Sequence, residues 1–188
     1  MTDTTSTQAA QVTRVATDVP PRLPDIDGIA ERIVREAMSF CAEKMNVEGT
    51  GAALDRICKG DRVACDYYVY GLARYVAASL GALDEHAKAA YTLEYEAIPD
   101  DACFAETKPG APLVHLIVWS GRKTAAFHAL VETLDGALVR ALAAVLGRAP
   151  QQGVLDVQVV DDQDVANRTS YGALFQAIHH RPLQVWER

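Results

Sequence analysis

Residues 111–147 read APLVHLIVWSGRKTAAFHALVETLDGALVRALAAVLG, and the fold turns on this stretch. Residues 114–119 are almost continuously apolar, as in a strand covered on both faces. After a five-residue turn, Phe127, Leu130, Val131, Leu134, Leu138, Leu142, Val145 and Leu146 recur every three or four positions. That spacing lays one apolar stripe along the longest helix of the chain. Gly147 stands where a left-handed residue would end it.

Downstream, residues 154–160 alternate, with Leu155, Val157 and Val159 on one side and Asp156 and Gln158 on the other. A helix between two strands predicts a βαβ unit. Asp161, Asp162 and Asp164 follow at once and suit the start of a helix reaching about residue 179. A last short strand is expected at 183–186. Upstream, residues 91–98 (YTLEYEAI) alternate like a half-exposed strand, with Glu94 and Glu96 on its polar side. Residues 84–88 read as an extra helical turn. The proline-punctuated loop 99–112 suits an antiparallel neighbour better than a parallel crossover.

Earlier still, helices are predicted at 28–45, 52–59 and 62–80, with Asp27 and Asp61 as caps and Gly60 and Gly81 as breaks. The third carries Tyr67, Tyr68, Tyr70 and Tyr75 in several directions, which predicts packing against two neighbours. Residues 1–24, rich in Thr, Ser, Gln and Ala and closed by Pro20, Pro21 and Pro24, read as a flexible tail. Residues 25–188 then form one α/β (or α+β) domain. Its order is an N-terminal helical layer followed by β-β-α-β-α-β, a mixed sheet of about four strands with helices on both faces. The helices before Gly81 are expected on one face and the two later ones on the other.

A net charge of −7 argues against nucleic acid as a partner, because a phosphate-tracking surface needs clustered Lys and Arg. No run of 18 apolar residues is present, so no membrane-spanning helix is expected. The N-terminus has neither a positive start nor an apolar segment of a secretory signal. Cys41, Cys58, Cys65 and Cys103 show no paired spacing and are expected as reduced thiols, which together with the missing signal gives a cytoplasmic address.

Three groups of residues carry candidate chemistry. Ser120, Gly121, Arg122, Lys123 and Thr124 join a strand to a helix start, where free amides, a positive dipole end and two cations suit an anion. The turn is not a P-loop, because Arg122 separates the glycine from the lysine. Its plain reading is a capped helix with two exposed cations. Asp161 and Asp162 would share a sheet edge with that turn if the strands are parallel, and could hold Mg²⁺ there. Helix capping accounts for the same residues. His115 interrupts an apolar strand, and it makes an acid/base patch if its face aligns with Glu94, Glu96 and Asp156. A hydrogen-bonded core histidine is the plain alternative.

No Gly-x-Ser-x-Gly elbow, Gly-x-Gly-x-x-Gly fingerprint or His-Glu-x-x-His pair is present, and the sequence names no cofactor. Two functional classes follow. One is a non-catalytic, homodimeric or larger binding or regulatory module that takes a small anion or an acidic partner. The other is a small α/β enzyme for a phosphorylated or carboxylate substrate, with Mg²⁺ near Asp161 and Asp162.

Overall fold

Long helices in this chain start where a short oxygen-bearing side chain can take a free amide. Asp25 accepts from the Gly28 amide at 3.0 Å and opens α1 (Ile26–Lys44). Asp61 accepts from Val63 and Ala64 and opens α3 (Arg62–Leu83), after the short α2 (Gly49–Cys58). Thr124 accepts from Phe127 and opens α4 (Ala125–Leu146), which ends at Gly147 with φ 69°, as its glycine predicts. The strands are β1 (Ala87–Thr92), β2 (Val114–Ser120), β3 (Leu155–Val160) and β4 (Leu183–Glu187). Between the last two lie α5 (Asp162–Asn167) and a 3₁₀ helix, Ser170–Gln176. This computed structural model describes residues 24–92, 113–147, 150, 153–177 and 182–188.

The expected class holds: an N-terminal helical layer and one mixed four-stranded sheet in the order β3-β2-β1-β4. β2 pairs with β3 in parallel and with β1 antiparallel, and β4 joins the free side of β1 antiparallel. Val114, Leu116 and Val118 of β2 face α1, α3 and α4, together with Ala90 of β1 and Leu155, Val157 and Val159 of β3. The opposite face shows His115, Ile117 and Trp119 beside Tyr91, Asp156 and Gln158. Phe175 of the 3₁₀ helix lies across it, 4.6 Å from the Tyr91 ring and 6.0 Å from Trp119.

α3 is the central helix. It is buried on several sides because it sits between the sheet and α1. Gly71 lets it close on α1, where an added Cβ would lie 3.1 Å from the Ala37 Cα. Gly81 faces Trp186 of β4, and a Cβ there would collide with the indole. Arg188 then donates to the carbonyls of Gly81, Asp84 and Ala87 at 2.6–2.9 Å, supplying the positive charge that the end of α3 lacks.

Several expectations are corrected. The first strand is Ala87–Thr92, so it opens ahead of the expected 91 and takes in part of 84–88, which is not a helical turn. Ala87, Ala89 and Ala90 have weak strand preference, but their small side chains fit a closely covered sheet, so packing overrides propensity. α3 runs past Gly81, whose bare Cα serves packing rather than termination. α4 shares a side with α1 and α3 instead of lying opposite them. Only that face of β2 is wholly apolar, since His115 is exposed and Trp119 half-buried on the other. The helix expected to reach residue 179 stops at Arg168, which adopts φ 55°, and restarts as the 3₁₀ segment. Asp27 does not cap α1 but pairs with Arg140 of α4. Cys41 and Cys58 are free, whereas Cys65 is disulfide-bonded, against the expectation of four reduced thiols. Cys103, the expected tail through residue 23, and positions 93–98 with Glu94 and Glu96 lie outside the described residues.

Candidate functional site

The parallel register brings the turn after β2 and the acidic group after β3 to the same sheet edge, and the two groups bind each other. Lys123 forms an ion pair with Asp164, whose carboxylate also receives the Thr169 hydroxyl and the Asp161 amide. Asp161 in turn accepts from the Asp164 amide at 2.8 Å, a reciprocal capping box. Within the turn, the Gly121 amide donates to the His86 carbonyl and the Arg122 amide to Ser120 Oγ. Thr124 Oγ1 holds the Phe127 amide. The Gly121 and Arg122 amides, Ser120 Oγ and the Lys123 side chain, all expected to receive an anion, are therefore engaged within the protein. Arg122 stays exposed, without an ion pair among the described residues.

Asp162 has a different set of partners. The register of β1 slips at Lys88, which turns this side chain out of the ladder. Lys88 Nζ donates to both Asp162 oxygens at 2.7 Å, and Trp119 Nε1 adds a third bond at 2.8 Å. The Lys88 hydrogen bonds first, and that of Trp119 second, hold the Asp162 carboxyl below the usual range. The Lys123 bond does the same for Asp164. Among the described residues, no group of three or more His, Cys, Asp or Glu is placed to share a metal ion.

His115 and Asp156 are direct cross-strand partners, and their side chains meet at 3.0 Å through Nδ1 and Oδ2. Gln158 Nε2 donates to the other Asp156 oxygen at 2.7 Å. The carboxylate is thus fixed on both sides, and it orients the ring with Nε2 facing away. Such an orienting bond is the arrangement a histidine base uses. His115 and Asp156 share a face, and at about half exposure the histidine is not the core residue of the plain alternative.

An apolar-walled opening lies elsewhere. A cavity of about 570 Å³ sits between α1, the start of α2 and the end of α4. Val34, Met38, Leu54, Ala137, Ala141 and Val145 form its apolar wall, while Asp27, Glu31, Arg35 and Arg140 edge it. No sequence motif marks it, because residues of three separate helices line it. The spacing of apolar residues gives each stripe but not the gap between stripes. A second cavity near the turn is lined by Thr124 and Phe127 with Asp84, His86 and Arg188, and by none of Asp161, Asp162 or Asp164.

No protein-family model, curated protein or solved structure matches this chain. Among the described residues, no helix is long and apolar enough to cross a membrane.

Proposed function

We propose that the chain is a non-catalytic binding module whose ligand site is the cavity between α1, α2 and α4. The observation that carries this reading is the cavity itself. Its volume falls within the roughly 300–1,000 Å³ of small-molecule sites, and its wall is mainly apolar with a few charged groups at the edge. The turn at Ser120–Thr124 contributes less than its sequence promises, since Asp164 already neutralises Lys123. Titration with an uncharged fluorescent probe such as Nile red tests the site. Wild type should enhance the emission saturably, and Ala141→Phe, which fills the cavity from its buried wall, should abolish the enhancement with the helical circular dichroism retained. Equal enhancement by the variant would place the probe elsewhere and refute the reading.

The module is also proposed to self-associate. β3 and β4 are the outer strands of the sheet, and Leu183 on β4 is 44% exposed, which leaves an edge suited to a second copy.

One observation favours an enzymatic reading: the His115–Asp156–Gln158 chain is built like an oriented base. On that reading the protein acts on a phosphorylated or carboxylate substrate, with His115 taking a proton. Turnover of model phosphate and carboxylate esters, lost in His115→Gln, would support it, and no turnover with or without Mg²⁺ would oppose it.

A further inference from the structure

We infer that the ligand of the α1–α2–α4 cavity is an uncharged molecule with an apolar body. This inference rests on the cavity being a ligand site, and it concerns what that site accepts. The body follows from the wall, where the side chains of Val34, Met38, Leu54, Ala141 and Val145 offer contact area rather than polar partners. A charged head drawn against such a wall gives up hydration, so it needs an unmatched opposite charge in return.

The rim supplies none. Among the described residues, the charged side chains lining the cavity are Asp27, Glu31, Arg35 and Arg140, balanced in sign. Arg140 of α4 donates to Asp27 of α1 through Nε at 3.2 Å and through Nη2, so this pair is closed. Glu31 and Arg35 stand four residues apart on α1, acid first, the spacing and order in which opposite charges stabilise a helix. The start of α2 brings its positive end to the cavity through Thr50 and Gly51, and the exposed Glu48 at its N-cap offsets it. Each charge at the mouth thus has its opposite beside it. Such a mouth disfavours a carboxylate and an ammonium alike, which a rim of one sign would not do.

Calorimetric titration of the full chain at pH 7 with octanol, octanoate and octylamine tests this, since one apolar chain then carries a neutral, a negative and a positive head. Octanol should bind at least about threefold more tightly than either ion, the scale of one partly exposed charge contact. Ala141→Phe should abolish octanol binding, which ties it to the cavity. Glu31→Gln leaves Arg35 unmatched and should strengthen octanoate about threefold relative to octanol. Arg35→Gln leaves Glu31 unmatched and should do the same for octylamine. Both residues are exposed, so these variants should fold. Octanoate or octylamine binding the wild type as tightly as octanol would overturn the uncharged ligand while the cavity reading survives, and so would affinity ratios unchanged in both rim variants. Octanol binding that withstands Ala141→Phe, or no binding of any of the three, would overturn the cavity reading and this inference with it.

Discussion

Asp135 shows what a single residue does here that no pattern announces. From the middle of α4 its Oδ1 accepts from the amides of Val154 and Leu155 at 2.6 and 2.8 Å, and so fixes where β3 begins. In the sequence it is one more acid on a helix face. Its role exists only once the crossover has returned. Asp135→Ala leaves two amides without that acceptor and should cost about 1–3 kcal/mol in chemical denaturation. A loss under about 0.5 kcal/mol would mean that water replaces it. The cysteines make a second test at this scale. Cys41 is fully buried and donates to the Ala64 carbonyl, and burial, with Asp61 second, raises its thiol pKa. Cys58 is exposed. A thiol reagent at neutral pH should modify Cys58 quickly and Cys41 only on unfolding, and fast labelling of both would contradict the packing of α1 on α3.

Among elements, those written in local patterns were legible and those made by distant partners were not. The stripe of α4, its Gly147 end, the Asp61 cap and the alternation of β3 all come from neighbours in sequence. β1 starts ahead of its alternating pattern because three alanines carry little local signal, and α5 ends short of its expected length at Arg168, which nothing local marks as its end. The cavity lies between residues of three helices, which no single stripe records. α5 itself is held to the sheet edge by charge. The lowered pKa values of Asp162 and Asp164 mean that protonation weakens this hold. Its contribution is complete above the ordinary carboxylate pKa near 4 and is lost as the pH falls through the lower folded-state values. In a Trp186→Phe background, Trp119 fluorescence should change in acid below about pH 4, and Asp162→Asn should remove that change while leaving global unfolding in place. Identical acid profiles would show that Asp162 does not hold the indole. The α3–β4 contact is steric instead. Gly81→Ala should destabilise by about 1–3 kcal/mol, and Trp186→Ala in the same chain should recover part of the loss in a double-mutant cycle.

For the whole molecule, among the described residues the sheet ends in two strands that each pair on one side only, so its state of assembly is a physical question rather than a matter of composition. The tyrosines of α3 give no argument for a partner. Tyr68 is fully buried, Tyr67 and Tyr75 pack against the core, and Tyr70 lies 5.8 Å from Phe40. The argument passes to β3 and β4. Sedimentation at micromolar concentration should find a dimer or larger species that Leu183→Lys dissociates, because a charge on an outer strand discourages pairing. A wild type that stays monomeric over a roughly hundredfold range of concentration would defeat the proposal.

The place of β4 has a consequence for biosynthesis. β4 closes the free side of β1, and Arg188, which ties this corner, lies 101 residues after its partner Ala87. At about 5–20 residues per second, the ribosome needs roughly 5–20 s to travel that distance. Throughout that interval the nascent chain presents one side of β1 without its partner strand, and the end of α3 lacks its guanidinium cap. Folding of this domain therefore waits for β4, and its exposure to chaperones and to neighbouring nascent chains is greatest before β4 arrives.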